Sequence, residues 1–253
     1  YLTKVLEGQV IQDFRFISGQ YENNDPIGFD EFYDSLPVIV AEVKCKGKMI
    51  YIHCATEDKN FYIMHSLRLT GSWREKEDSC SRWYILLDNG TKLWFRDPRC
   101  MATLHFTQDE KVLQSTLDKL GYDILTDEFT LQRWKDIINN HRTKNITALM
   151  MDQSYISGCG NYIKAEALYY AKISPLRKAG DLTENEVEKL YEALRIIPRL
   201  AYNNKGYSGG EYTDKKGRKG FEEFHLKIYG RPEATKTKTP DGRITHWNPE
   251  IQK

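Results

Sequence analysis

Hydrophobic and polar residues alternate over short stretches in the first half of the chain, and this alternation predicts β-strands. Each stretch is rich in β-branched and aromatic residues and is bounded by turn residues. The predicted strands span residues 38–43, 48–53, 83–87 and 92–96. The sequence Asp88-Asn89-Gly90-Thr91, between the last two, predicts a tight hairpin turn. We therefore expect the N-terminal half to be mainly β-structure.

Helical periodicity replaces this alternation in the second half of the chain. Residues 130–202 have a helical pattern that is interrupted near Gly180. Two shorter helices are predicted elsewhere, over residues 1–7, where Gly8 ends the pattern, and over residues 110–120. We expect helices to dominate the C-terminal half.

The last residues return to a strand pattern. Residues 235–239 and 243–247 flank the turn Pro240-Asp241-Gly242, and together they predict a two-stranded hairpin, here called the terminal hairpin. An isolated hairpin is marginally stable in water, so this one must pack against something. Its expected packing residues are Trp247, Ile228 and Tyr229.

Composition narrows the class of protein. With 253 residues, 40% hydrophobic and 12% aromatic, the chain can form two modest folded domains. It contains no apolar run long enough to cross a membrane and no secretory signal at its start. Its five cysteines are scattered, odd in number and never in a CxxC pair. We expect free thiols in a reducing intracellular compartment, nucleus or cytoplasm.

Charge is unevenly distributed along the chain although the net charge is only +1. Residues 1–42 carry two basic and eight acidic side chains, whereas residues 201–253 carry eleven basic and seven acidic ones. A basic C-terminal segment is compatible with a phosphate-binding face, and equally with an ordinary solvated surface.

The turn Gly158-Cys159-Gly160-Asn161 joins two predicted helices. Glycines permit positive φ and leave the turn without side-chain bulk, and Asn161 is placed where an N-cap is expected. A bare turn that enters a helix presents backbone N–H groups to an anion, and an Asn amide adds a donor for a phosphate oxygen. Taken alone, the same pattern also fits a capped helical hairpin without a ligand.

Residues 152–175 follow the pattern DQ…GxGN…EALxxAxIxP. They resemble the helix–two-turn–helix module of the formamidopyrimidine-DNA glycosylase and endonuclease VIII family, which clamps the DNA backbone beside a damaged base. The resemblance implies an α+β multidomain fold. Its expected parts are an N-terminal β-sandwich flanked by helices (1–119), a linker (120–129), a helical DNA-binding domain (130–222) and a hairpin finger (223–253).

In this family the terminal hairpin is a zinc finger with four cysteines. Here Asn248-Pro249-Glu250-Ile251 stands where a CxxC pair would be, and no cysteine follows Cys159. We therefore expect no zinc and no other cofactor, as in the zincless-finger variants of the family. Arg243 matches the arginine at the tip of the finger, which the resemblance implies to grip phosphates and assist the second elimination step.

Two further stretches carry the resemblance. Residues 206–231 follow the glycine-rich pattern of the loop that covers the everted base. Lys48 matches a strand lysine that contacts phosphate and donates a proton during β-elimination. The resemblance thus implies catalytic roles for Lys48 and Arg243, and DNA contacts from both of these residues and from Gly158, Gly160 and Asn161.

Three residues match the side chains that fill the void left by a flipped base. Leu69 occupies that position in Arg68-Leu69-Thr70-Gly71, where the family usually has glycine in place of Arg68. The segment Asp97-Pro98-Arg99-Cys100-Met101 resembles the DPRRF segment, in which the arginine pairs with the orphaned base and the aromatic residue wedges the stack. Met101 replaces the aromatic residue by a softer apolar wedge.

The family nucleophile is an N-terminal proline followed by glutamate, and residues 1–253 contain neither at their start. An α-amino group suits this role because its pKa, near ~8, leaves a usable neutral fraction at cellular pH. Either the sequence is an N-terminally incomplete copy of an active enzyme, or it is complete and binds damaged DNA without glycosylase activity. In the complete case, Lys48 or the Tyr1 amine is a weaker candidate nucleophile at abasic sites.

The expected function is that of a bifunctional DNA glycosylase and AP lyase of base-excision repair, a monomer acting on double-stranded DNA with oxidised bases or abasic sites. The zincless hairpin favours oxidised pyrimidines. A DNA-binding module without catalysis is the alternative from another class. A protein unrelated to nucleic acid would have no salt-dependent DNA affinity.

Overall fold

The computed structural model describes residues 1–203 and 226–253. Contacts among them divide into two compact units, a first unit of Tyr1–Asp118 and a second unit of residues 119–203 and 226–253. The predicted loop over residues 206–220, and the predicted boundary at residues 222 and 223, lie outside the described residues. Each unit has its own hydrophobic core.

The first unit is built on one antiparallel sheet of eight strands. They are β1 (Val10–Phe16), β2 (Val38–Lys46), β3 (Met49–Ala55), β4 (Asn60–Ser66), β5 (Ser72–Arg74), β6 (Ser81–Leu87), β7 (Lys92–Arg96) and β8 (Thr103–Thr107). Their order in the sheet is β5-β7-β6-β1-β2-β3-β4-β8. The four predicted strands correspond to β2, β3, β6 and β7, and the turn at residues 88–91 joins β6 to β7 as expected.

The sheet folds over on itself, which makes the first unit a β-sandwich as predicted. The ring centroids of Phe14 on β1 and Phe106 on β8 are 5.7 Å apart, although three strands separate them in hydrogen-bonding order. His65 on β4 and Trp83 on β6 are likewise 5.7 Å apart across three intervening strands. The aromatic side chains of the two halves therefore form a common core.

Three short helices accompany this sheet: α1 (Leu2–Leu6), α2 (Phe29–Tyr33) and α3 (Glu110–Asp118). The first and third were predicted, and Gly8 adopts a φ of 77° just beyond α1. The helices cover the sandwich with apolar side chains, such as Leu6 from α1 and Phe32 from α2, both of which are fully buried.

The second unit is helical, with α4 (Leu131–Asn140), α5 (Ile146–Met151), α6 (Asn161–Tyr170) and α7 (Glu184–Asn203). Thr183 begins α7 through a capping box, in which its hydroxyl accepts from Glu186 N and its own N–H donates to the Glu186 carboxylate at 2.7 Å. A short 3-10 helix at Ala179–Asp181 replaces the predicted break at Gly180. The mixed architecture, β-rich first and helical second, confirms the α+β fold class.

Residues 120–129 are not a linker, which corrects the sequence prediction. Strand β9 (Tyr122–Asp123) pairs in parallel with β10 (Ile156–Ser157), and both strands belong to the second unit. Ile124 and Phe129 are buried in the core of that unit. Burial of these two apolar side chains is favourable in free energy. The segment therefore packs as part of the helical domain and does not remain a solvated linker.

The terminal hairpin consists of β11 (Thr235–Lys238) and β12 (Ile244–Trp247) and lies in the second unit instead of forming a separate domain. Trp247 and Ile228 are buried, and Trp247 Nε1 donates to Thr237 Oγ1 at 2.9 Å. Within the part of the chain that the structure describes, no helix has the length and apolar character needed to cross a membrane.

Candidate nucleic-acid interface

The turn between α5 and α6 is fastened by one glutamine side chain. Gln153 Nε2 donates to Met151 O and Cys159 O, both at 3.1 Å, and its Oε1 accepts from Gly158 N at 3.1 Å. Gly158 has a φ of 95°, which a residue with a side chain rarely adopts. Gly160 has a φ of −123°, so the expectation of positive φ is correct only for Gly158. These bonds fix the backbone that leads into α6.

Asn161 is not the N-cap of α6, which corrects a second prediction. Gly160 is the N-cap, without a side-chain hydrogen bond, and Asn161 is the first helical residue. The Asn161 side chain instead reaches the terminal hairpin, where Nδ2 donates to Ile244 O at 3.1 Å. An amide nitrogen carries two N–H donors, so one remains beside the N-terminal end of the helix.

Arg243 directly precedes the residue that Asn161 contacts. Its side chain is exposed and makes no hydrogen bond to any residue in the described ranges. The Arg243 carbonyl accepts from Thr239 N at 3.0 Å, which closes the turn of the terminal hairpin. The second unit therefore brings Gly158, Gly160, Asn161 and Arg243 together on one surface, with a cationic tip beside a helix N-terminus.

An ion pair with no exposure to solvent lies beneath this surface. Lys164 Nζ on α6 is 2.6 Å from Asp241 Oδ2 in the hairpin turn, with side-chain exposures of 0% and 1%. Burial lowers the pKa of Lys164. For Asp241, burial acts to raise the pKa, but hydrogen bonds from Lys164 and Thr239 outweigh it, so the pKa is lowered. The stabilised form of Asp241 is therefore the carboxylate.

Glu166, on the same helix as Lys164, holds the chain that enters the terminal hairpin. Its carboxylate accepts from the backbone N–H groups of Lys227, Ile228 and Tyr229 at 2.8, 2.8 and 2.7 Å. A carboxylate that receives several N–H donors is well compensated for burial. Gln153 and Glu166 stand in the family pattern but were given no role, and Lys164 was not singled out, because a polar residue in such a pattern has no distinct signal of a buried contact.

In the first unit one buried aspartate organises the predicted void-filling residues. The Asp97 carboxylate accepts from the N–H groups of Met101 at 2.7 Å and Ala102 at 2.8 Å, and from that of Arg99 at 3.3 Å. It also accepts from Thr70 Oγ1 at 2.6 Å. Burial acts to raise the pKa of Asp97, but these hydrogen bonds reverse the effect and leave it lowered. Asp97 thus fixes the loop that carries Arg99 and Met101 to the loop that carries Leu69.

The side chains presented by these two loops are exposed. Leu69 and Met101 are 41% and 44% accessible, so both apolar side chains are available to act as wedges. Arg68 has a φ of 54°, a left-handed conformation that explains why the family usually has glycine there. At Gly71 an added Cβ would come too close to Leu67 O and within 2.6 Å of Phe95 Cζ. Both loops are therefore constrained by their backbone as well as by Asp97.

Lys48 lies in a turn and not on a strand, which corrects a third prediction. Gly47 and Lys48 form the turn between β2 and β3, and Gly47 has a φ of 58°. The predicted strand at residues 48–53 begins at Met49 because Lys46 pairs with Met49 across the hairpin. Lys48 is exposed at this turn, on a different hairpin from the loops of Leu69 and Arg99.

Together these elements define a helix–two-turn–helix protein with a β-sandwich and a terminal hairpin. The sequence-family model described as the formamidopyrimidine-DNA glycosylase H2TH domain matches residues 120–209. The formamidopyrimidine-DNA glycosylase of Herpetosiphon aurantiacus is 32% identical over 197 residues, covering 76% of this chain and 70% of the relative. That of Carboxydothermus hydrogenoformans is 33% identical over 226 residues, covering 85% and 81%.

Solved structures agree with the sequence relatives. The MutM (Fpg) protein from Thermus thermophilus superposes with a TM-score of 0.83 at 25% identity, over 99% of this chain and 94% of that one. The Lactococcus lactis Fpg in complex with DNA containing an N7-benzyl-Fapy-dG gives a TM-score of 0.84 at 23% identity, over 100% and 95%, a likeness of fold. The chain belongs to the formamidopyrimidine-DNA glycosylase family.

Proposed function

We propose that this chain acts as a bifunctional DNA glycosylase and AP lyase of base-excision repair. Its substrates are double-stranded DNA with oxidised bases, pyrimidines favoured, and abasic sites. Membership of the family supports the glycosylase class, and relatives of this fold have been crystallised with damaged and abasic-site DNA.

One observation carries the proposal. The hydrogen bond from Asn161 Nδ2 to Ile244 O joins the helix–two-turn–helix turn to the terminal hairpin, so that Asn161 and Arg243 act on one stretch of backbone. The free N–H of the Asn161 amide and the exposed guanidinium of Arg243 are both suited to phosphate oxygens. Phosphate contacts of this kind fix register and orientation on DNA without reading sequence.

The first unit supplies the residues for base extrusion. Taking a base out of the duplex costs a few kcal/mol, least for a damaged pair, and side chains inserted into the gap offset part of that cost. Leu69 and Met101 are apolar and exposed on loops that Asp97 fixes, and Arg99 lies on the same loop as Met101. We assign void filling to Leu69 and Met101, and contact with the orphaned base to Arg99.

The chemistry requires an amine at the sugar. In the proposed reaction the amine nitrogen bonds to C1′ as the N-glycosidic bond breaks, and the base leaves with its electron pair and takes up a proton. The C1′–O4′ bond then breaks, O4′ takes up the proton that the amine has lost, and a Schiff base remains. Two eliminations from it, each with loss of a sugar C–H proton, break the C3′–O and C5′–O bonds, and the two phosphates leave with the bonding electrons. We assign the amine to an N-terminal proline outside residues 1–253, proton donation to Lys48 and assistance of the second elimination to Arg243.

Borohydride trapping on a duplex with a single abasic site tests this proposal. The chain is compared with a version that carries a Pro-Glu-containing segment before Tyr1. We expect a covalent adduct with the extended protein only, since borohydride reduces a Schiff base to a stable amine. An adduct with neither version, accompanied by tight binding of the abasic duplex, would leave a damage-binding protein without lyase activity.

Binding measurements on the same duplex separate recognition from chemistry. We expect Asn161→Ala to weaken binding about tenfold, the loss of one hydrogen bond to a charged group. Asn140→Ala, an exposed asparagine on α4 of the same unit, serves as the matched control and should stay within about twofold. Equal affinities for both variants and the parent would overturn the DNA-binding role of this surface.

The proposal includes four further expectations. Lesion preference is tested by the excision rate of the extended protein on 5-hydroxyuracil and on 8-oxoguanine, and we expect the pyrimidine to be excised faster. We expect a monomer. We also expect a reducing compartment, since all five cysteines are free thiols. We also expect activity without bound metal, which chelation before the assay tests directly.

A further inference from the structure

The terminal hairpin needs an anchor other than zinc. Each of its strands has four residues, and such a hairpin is marginal by itself. The residues present do not fit a tetrahedral zinc ion, which takes cysteine and histidine ligands. No cysteine follows Cys159, and Nδ1 of the hairpin histidine, His246, is occupied by Gly230 N at 2.5 Å.

The buried pair of Lys164 and Asp241 has the position and the chemistry of an anchor. It connects the middle of α6 to the turn of the hairpin, across 77 residues of sequence, at 2.6 Å. Asp241 also accepts from Thr239 Oγ1, and that hydroxyl is 2.7 Å from Thr245 Oγ1 in the opposite strand. The pair therefore binds α6, the turn and strand β12 in one polar network.

The network constrains the backbone of Arg243 from both sides. Two residues before it, Asp241 is bound to Lys164, and the Arg243 carbonyl itself accepts from Thr239 N at 3.0 Å. One residue after it, the Ile244 carbonyl accepts from Asn161 at 3.1 Å. Only the guanidinium arm of Arg243 is left to move.

A charged anchor also selects one register of the hairpin. Loss of one partner leaves a buried charge uncompensated, which is strongly unfavourable. A shift of the hairpin by one residue would replace Asp241 opposite Lys164 by Pro240 or Gly242, neither of which can receive the proton of an ammonium with its side chain. The ion pair thus fixes the register of the terminal hairpin and also holds the hairpin against α6.

We propose that the Lys164–Asp241 ion pair replaces a metal as the anchor of the terminal hairpin, and that both are positioning residues for Arg243. The consequence for DNA rests on the proposed function, whereas the consequence for the hairpin does not. Neither residue contacts DNA in this proposal, because both side chains are buried beneath the surface that Arg243 occupies.

Hydrogen exchange of the full chain tests the anchor without any DNA. We expect Asp241→Asn to accelerate amide exchange in peptides covering residues 235–247 by tenfold or more, with no change in peptides from α4. Glu233→Gln, which neutralises an exposed acid just before the hairpin, is the matched control and should leave exchange unchanged. Chelation with EDTA should also change nothing, and accelerated exchange on chelation would overturn the proposal in favour of a metal.

Binding to an abasic-site duplex tests the positioning role. Removing an acid near DNA by Glu233→Gln should leave affinity equal or slightly higher, because a repulsive charge is lost. Asp241→Asn also removes an acid, yet we expect it to weaken binding about tenfold and to reduce the slope of log K against log salt by about one. We expect the same of Arg243→Ala. In the double variant Asp241→Asn/Arg243→Ala the two losses should not add, since both remove the same contact.

Each outcome decides one question. Tighter binding by Asp241→Asn, or additive losses in the double variant, would overturn the positioning role. Normal hairpin protection in Asp241→Asn would overturn the anchor. If Asp241→Asn does not fold, Lys164→Gln replaces it in the hydrogen-exchange test with the same expectation, and Lys164→Arg should restore protection. If the parent protein fails to bind damaged DNA while hairpin protection depends on the pair, the proposed function fails and the anchor stands.

Discussion

Two buried aspartates hold the two sets of candidate DNA-contacting residues, and they are compensated in different ways. Asp97 in the first unit receives three backbone N–H groups and a hydroxyl, all of them neutral donors. Asp241 in the second unit receives a lysine ammonium from another element. The charge of Asp97 is thus stabilised by hydrogen bonds from uncharged groups, whereas that of Asp241 is neutralised by the positive charge of Lys164.

This difference predicts different responses to substitution. Without Asp97, several neutral donors lose a partner, and each costs a limited desolvation free energy. Without one member of the Lys164–Asp241 pair, a whole charge stays buried, which costs considerably more. Removing the Asp97 carboxylate should therefore loosen the loop that carries Arg99 and Met101. Removing Lys164 or Asp241 should detach the terminal hairpin from α6.

The largest expected effect is that of Lys164→Met, which leaves Asp241 buried without its cation. We expect a loss of roughly 3–5 kcal/mol in the free energy of unfolding, measured by chemical denaturation of the second unit. Lys135→Met is the matched control, because Lys135 pairs with Glu184 and Glu188 at the surface, and its effect on the free energy of unfolding should be much smaller. Similar losses for the two variants would contradict the comparison.

Asp97→Asn should have an intermediate effect of about 1–3 kcal/mol, because an amide group cannot accept all of the donors that the carboxylate accepts. The effect should depend on pH. Since the folded pKa of Asp97 is lowered, its ionised form stabilises the fold above the unfolded value, near ~3.9, and this contribution is lost as pH falls through the folded pKa.

Thermal unfolding at several pH values measures this dependence. The gap in Tm between the parent and Asp97→Asn should be constant from pH 7 to about pH 5 and should narrow as the medium becomes more acidic than about pH 4. A gap that widened at low pH would show that the carboxylate is not the stabilised form in the folded protein.

The smallest expected effect is that of Arg68→Gly, beside the loop that Asp97 fixes. Glycine adopts the φ of 54° without strain but gains entropy when unfolded. We expect a stability change within about 1 kcal/mol, in the stabilising direction, by chemical denaturation. A marked destabilisation would indicate that the Arg68 side chain itself contributes to the loop.

Much of this architecture follows from local patterns. The strands β2, β3, β6 and β7, the turn of the terminal hairpin and the capping box of Thr183 and Glu186 have signals within a few residues. Strand β4 was missed because five consecutive residues, Phe61 to His65, are buried, so its sequence does not alternate. The supposed linker was wrong because a partner distant in sequence, β10, pairs with β9. The predicted strand began one residue too early at Lys48, because Gly47 and Lys48 form the two-residue turn that Lys46 and Met49 close.

For the candidate site, too, local patterns in the sequence and contacts between distant residues contributed different things. The sequence alone determined which residues are candidates for phosphate binding and void filling, because Gly158, Asn161, Arg243, Leu69 and Arg99 stand in short recognisable patterns. Only the tertiary structure decided what holds them. The donors to Asp97 come mainly from the five residues that follow it, whereas Lys164 is 77 residues from Asp241. A charged side chain such as Lys164 holds two elements together only when folding buries it and places its partner beside it. Both conditions depend on tertiary structure and cannot be predicted from the local sequence.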